Sequence, residues 1–108
     1  MLFYMLCTEL ASHVLEDKQQ FVKVADQNLQ SITMCQINGR ALYKPGYLNV
    51  TVVSSTSCAR SCRNDGWCLS ANYNISSNVC TLMKELDLDS PAELKYNNEF
   101  LYFTSRVC

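Results

Sequence analysis

The sequence predicts an α+β domain in which one short helix is fastened by disulfides to an antiparallel β-sheet. Three observations predict it. Cys58, Cys62, Cys68 and Cys80 follow the spacing C-x3-C-x5-C-x11-C, and seven cysteines in 108 residues is the density of a disulfide scaffold in an oxidising compartment. A serine-rich stretch, Ser54-Ser55-Thr56-Ser57, stands directly before the first of these cysteines and offers hydroxyls that can cap a helix. The segments around Cys68 and Cys80 read as strands separated by a polar turn.

Along the chain, the first residues are nearly all apolar, as in the core of a secretion signal. They lack a preceding Lys or Arg, and Glu9 interrupts them, so residues 1–31 read as a weak or truncated signal and lead-in or, equally, as an ordinary apolar N-terminal segment of a partial gene product. Removal of residues 1–12 takes Cys7 with it and leaves six cysteines, an even number suited to a closed set. A strand is expected near residues 21–25. Asn38-Gly39 and Pro45-Gly46 are turn signals. Residues 47–53 are β-branched and aromatic and read as a strand. Residues 56–63 then form about two helical turns, and Gly66 is expected to end them in a left-handed conformation. Residues 68–75 alternate, with Leu69, Ala71, Tyr73 and Ile75 on one face, and 76–78 turn the chain into a second strand over 79–83. Residues 85–93 read as a solvated acidic loop, and residues 100–103 as a closing aromatic strand. The domain proper is placed at 32–108.

Composition narrows the classes of function. A formal net charge of −1 provides no global pull toward nucleic acid or anionic membrane. A content of 48% hydrophobic and 18% charged residues is that of a folded chain. No later stretch has the roughly 18 apolar residues of a membrane span, so a membrane enters only through a larger parent protein.

The cysteine spacing carries a geometric consequence. Cys58 and Cys62 are four apart on the expected helix and share one face. Both can point at a sheet beneath, Cys62 toward the nearer Cys68 and Cys58 toward the farther Cys80. Cys35 and Cys108 are then left to tie the start of the domain to its end. Six cysteines allow 15 connectivities; the geometry ranks this set first and leaves the others open.

The segments Cys58-Ala59-Arg60-Ser61-Cys62, Trp67-Cys68-Leu69-Ser70-Ala71-Asn72-Tyr73 and Val79-Cys80-Thr81-Leu82 resemble the PAN/apple domain family in order and spacing. Thr51-Val52-Val53-Ser54 and the closing residues 102–108 are similar to it as well. The resemblance spans about residues 32–108 and implies a helix cradled by a curved antiparallel sheet. It also implies the bridges Cys58–Cys80, Cys62–Cys68 and, as in the apple variety, Cys35–Cys108. The first 30 or so residues and Cys7 depart from the pattern.

Candidate sites follow, each beside its plainer meaning. Asn49-Val50-Thr51 and Asn74-Ile75-Ser76 are N-glycosylation triplets; Asn74 equally suits a hairpin turn. Arg60 and Arg63 project from the helix and, as in some relatives, suit sulfated glycans or acidic partners; an exposed helix face explains them too. Trp67 is either an interface anchor or packing over the adjacent disulfide. Tyr43, Tyr47 and Tyr102 are candidates for sheet-surface contacts, with packing within the domain the plainer and favoured meaning of each. Zinc is disfavoured, because only Cys58/Cys62 forms a knuckle and His13 is the sole histidine. The acidic residues 85–93 lack the register of a calcium loop. One histidine and no phosphate-binding glycine loop argue against an enzyme, and no cofactor is expected. The expected function is a non-catalytic, secreted or cell-surface module that recognises an extracellular protein or glycan. The alternative is a passive structural or matrix module, or a fragment of a larger multidomain protein.

Overall fold

The computed structural model describes residues 19–25, 28 and 31–105. Among these residues six strands form one sheet: β1 (Gln19–Ala25), β2 (Ser31–Leu42), β3 (Leu48–Thr51), β4 (Ser70–Asn74), β5 (Val79–Met83) and β6 (Leu94–Thr104), with one α-helix, α1 (Ser55–Asn64), between β3 and β4. The strand order is β1-β2-β6-β4-β5-β3, and every pairing is antiparallel.

Helix α1 begins where the serines predict. Ser54 is extended, and its Oγ accepts the Ser57 N–H at 3.1 Å, satisfying one of the unpaired first-turn amides. Cys58, Ala59 and Cys62 form its buried stripe and rest on β4 and β1. The helix ends differently from expectation. Asp65 is extended, and its N–H reaches the Cys62 and Ser61 carbonyls. Gly39 is the glycine with positive φ among those described, so Gly66 does not supply a left-handed stop. An Asp65 cap already engages the last carbonyls, which removes the need for one.

Among the described residues, one bridge joins the helix to strand β5 and another joins it to the loop that enters β4. Cys58 bonds Cys80 and Cys62 bonds Cys68, with Cα atoms 5.4 and 5.2 Å apart. Cys35 is also disulfide-bonded; Cys108 and Cys7 lie outside the described residues.

The sheet is packed on both faces. On the helix side, Val24, Met34, Ala71, Tyr73, Leu82 and Phe103 surround the two bridges. On the other side, Cys35, Ile37, Leu42, Met83 and Tyr102 form a second core, with Leu94 against it. The segment after β5 helps close that face through two 3-10 turns, Asp87–Asp89 and Pro91–Glu93. The expected solvated acidic loop is therefore corrected in part: Asp87 is buried, drawn in by bonds to Tyr102.

Asn38-Gly39 does not reverse the chain. It sits inside the 12-residue β2, where Gly39 has φ 76° and the register with β6 shifts between Asn38 and Arg40. Asn38 faces Leu101 and Arg40 faces Tyr96, so most of the extra length is on β6. The glycine meets the same backbone demand in a bulge that it would meet in a turn. Beyond the bulge the ends of β2 and β6 fold over the second face, and the Leu42 N–H and C=O meet the Asn72 side-chain amide, each at 2.9 Å.

β1 pairs along its whole length with β2, Gln19 opposite Ile37 through Ala25 opposite Ser31. A domain start at residue 32 would separate these paired strands. The β4–β5 hairpin closes through residues 75–78. Asn78 takes φ 61°, and Asn74 Oδ1 accepts the Ser76 and Ser77 N–H groups at 2.9 and 3.0 Å. The Tyr73 hydroxyl donates to Asn78 Oδ1 at 2.6 Å.

Candidate functional site

The Cys62–Cys68 bridge closes a short loop at one end of the sheet. Within it, Asp65 Oδ1 accepts the Trp67 N–H at 2.8 Å, and the Asp65 carbonyl accepts the Cys68 N–H at 3.2 Å. Trp67 is displayed on this clamped loop with 70% of its surface exposed. That exposure leaves most of the indole open to a partner.

Strand pairing brings two further groups to the indole. The Leu69 N–H donates to the Met83 carbonyl at 2.8 Å and the Tyr47 N–H to the Leu82 carbonyl at 2.9 Å. Lys84, the residue after β5, is thereby flanked by the chain entering β4 and the chain entering β3. Its Nζ stands 4.8 Å from the Trp67 ring centroid and 5.3 Å from that of Tyr47, both within cation–π range. Partial burial, then the hydrogen bond and charge of Asp65, push the Tyr47 hydroxyl up to about 12. Leu48 and Leu69, the chain neighbours of this cluster, are also exposed. The result is an aromatic and aliphatic patch with a cation at its centre, held by a disulfide, a hairpin and an edge strand.

Of the residues singled out in the sequence, Trp67 and Tyr47 come together here. Arg60 and Arg63 are exposed on the solvent side of α1. Neither makes a hydrogen bond, ion pair or ring contact with the cluster among the described residues. Tyr43 lies elsewhere: its hydroxyl accepts from Asn97 Nδ2 at 3.0 Å, and Lys95 Nζ is 5.6 Å from its ring. Tyr102 is fully buried, in line with its packing reading and not with a surface contact. It follows Leu101 and precedes Phe103, two residues of the helix-side core, so alternation turns it into the second core instead.

Asn49 is exposed on edge strand β3, where its Oδ1 accepts from Thr81 Oγ1 at 2.8 Å. Asn74 has the hairpin role described above, and its side-chain nitrogen is left out of that turn. A small cavity of about 210 Å³ is lined by Ala41, Leu42, Tyr43, Asn72 and Phe100. Its lining is nearly all apolar, and the Asn72 amide is already committed to Leu42, so it offers no chemistry.

Lys84 is the member of the site that the sequence did not point to. It belongs to no motif, and its neighbours are 37 and 17 positions away in the chain. Only the β3–β5–β4 pairing assembles them. Among the described residues no three His, Cys, Asp or Glu side chains are grouped to hold a metal, and no helix is long and apolar enough to cross a membrane.

No curated protein and no solved structure matches the chain. A family model does: that of the PAN domain matches residues 21–108, from within β1 through the final cysteine. With its helix-to-sheet bridges and antiparallel sheet, the chain belongs to the PAN domain family.

Proposed function

We propose that this domain is a non-catalytic recognition module, secreted or held at the cell surface, that binds an extracellular protein or carbohydrate through the end of the sheet built around Trp67. PAN domains as a family are protein- and carbohydrate-binding modules, which supports the class. The observation that carries the location is Trp67 itself, 70% exposed on a loop closed by Cys62–Cys68. A large aromatic left in water is costly to leave uncovered and is the residue type most enriched among interface hot spots. Its loop is pre-organised by a bridge and by Asp65, so little ordering entropy remains to be lost on binding. The mechanism is surface complementarity with no bond made or broken.

The disulfides support an oxidising compartment, and Asn49 and Asn74 are the proposed glycan acceptors there. The test immobilises the refolded, disulfide-intact domain and screens it against extracellular proteins and a glycan array, beside Trp67→Ala. Binding that is lost in the variant supports the assignment. Silence on both screens, or binding indifferent to Trp67→Ala, removes it.

A further inference from the structure

The charge arrangement around Trp67 is uneven. Lys84 stands between two rings, yet among the described residues no carboxylate lies within ion-pair distance of it. The two acids closest to the cluster in the chain engage groups other than Lys84. Asp65 accepts the Trp67 N–H, and its charge is among the causes that raise the Tyr47 hydroxyl. Glu85, next to Lys84, reaches Lys44 at 4.0 Å. A second cation, Arg63, lies within the same Cys62–Cys68 loop, exposed and without a paired acid among the described residues.

Aromatic faces stabilise the ammonium in place, but they do not neutralise it, and they hold its side chain in one location. An incoming carboxylate would meet a positioned cation and form a charge-assisted bond with it. Around this cation the surface is apolar: Trp67 is 70%, Leu48 44% and Leu69 41% exposed. Aliphatic side chains offer nothing to the hydroxyls of a sugar, whereas an apolar side chain of a peptide would cover them.

We propose that the Trp67–Lys84–Tyr47 cluster takes an acidic segment of a partner protein, with one Asp or Glu carboxylate on Lys84 and a neighbouring apolar side chain over Trp67 and Leu69. This names the ligand class for the recognition surface assigned above and rests on that assignment.

The probe is a phage-displayed library of random linear peptides, panned on the immobilised, disulfide-intact domain. Selected peptides are then synthesised and measured against wild type, Trp67→Ala, Lys84→Met and Lys84→Arg. Lys84→Met keeps the length of the side chain over the rings and removes its charge; circular dichroism and intact-mass analysis confirm that each variant is folded and bridged. The expected result is enrichment of Asp or Glu beside aromatic or aliphatic residues. Affinity should fall about tenfold or more in Lys84→Met and in Trp67→Ala, be retained in Lys84→Arg, and decline as salt is raised. Peptides without acids, or acidic peptides that bind Lys84→Met as well as wild type, overturn the ligand class and leave the Trp67 surface standing. Peptides indifferent to Trp67→Ala overturn the surface itself. A heparin-derived oligosaccharide is the parallel probe. If it binds in a Lys84-dependent way while the library yields no enriched peptide, the assignment to a protein partner is overturned. No enrichment and no oligosaccharide binding overturn both readings.

Discussion

The Tyr102 hydroxyl accepts the Asp87 backbone N–H at 2.9 Å and donates to the Asp87 carboxylate at 3.2 Å. Both residues are buried. The pair pins the 3-10 segment after β5 onto the second face of the sheet, where Tyr102 packs with Ile37, Leu42 and Met83. Tyr102→Phe keeps the ring and removes both bonds. It is expected to cost about 1–3 kcal/mol, the range for withdrawing a partner from buried polar groups, read as a lower urea midpoint with an unchanged slope. An unchanged midpoint would show that this bond pair contributes nothing net to folding.

The same hydroxyl makes stability depend on alkaline pH. Burial is the largest cause that pushes Tyr102 up to about 12 from an ordinary 10.0. Between these values the folded chain keeps the proton and the unfolded chain releases it, so the unfolded state binds fewer protons and stability falls as pH rises. Stability should be level on this account below about pH 10, decline toward about pH 12, and level off beyond it. Tyr47, also raised to about 12, shifts stability in the same direction. Denaturation midpoints across that range, with phenolate absorbance as a second readout, should decline less steeply in Tyr102→Phe than in wild type. Equal slopes would assign the decline to other groups.

Local rules reached part of this architecture and failed at identifiable places. The Ser54 cap and the spacing of Cys58 and Cys62 define α1 within a residue or so, because capping and helical periodicity are properties of adjacent residues. Asn38-Gly39 misled because a positive φ serves a bulge as well as a turn; which one forms depends on β6, far along the chain. Asp87 looked solvated because its partner Tyr102 is 15 residues away. β1 was expected as a strand, but nothing near it reveals that β2 is its partner. Trp67 and Tyr47 were legible as surface candidates, whereas Lys84, which joins them, has no local signature.

The two helix-to-sheet bridges close loops of unequal length, with sequence separations of 22 for Cys58–Cys80 and 6 for Cys62–Cys68. In the chain-entropy picture these are worth roughly 3.4 and 2.2 kcal/mol. Replacing each pair by alanine should therefore destabilise the domain more for Cys58/Cys80, whose half-cystines both lie in the helix-side core. The smaller effect of Cys62/Cys68→Ala should be joined by a functional one, because that bridge holds the Trp67 loop. Calorimetry of both double variants gives the order; a reversed order would mean that packing and unfolded-state structure outweigh loop closure.

Gly46 and Gly66 look alike in the sequence, each completing a turn-like triplet, but their surroundings are opposite. A Cβ at Gly46 would collide with the Thr81 methyl and come within 2.9 Å of the Leu82 carbonyl oxygen; at Gly66 it would meet nothing within 4 Å. Gly46→Ala should cost about 1–3 kcal/mol, as overpacking does. Gly66→Ala, at a φ that is not positive, should change stability by no more than about 0.5 kcal/mol. The Gly46 collision also has a direction. Leu82 O is the acceptor of the Tyr47 N–H at 2.9 Å, so a shift that relieves the clash moves Tyr47 away from Lys84. Gly46→Ala should thus weaken ligand binding in protein that remains folded at low temperature, while Gly66→Ala leaves binding intact although it lies beside Trp67. Binding that survives Gly46→Ala unchanged would show that Tyr47 is dispensable and that Trp67 and Lys84 suffice.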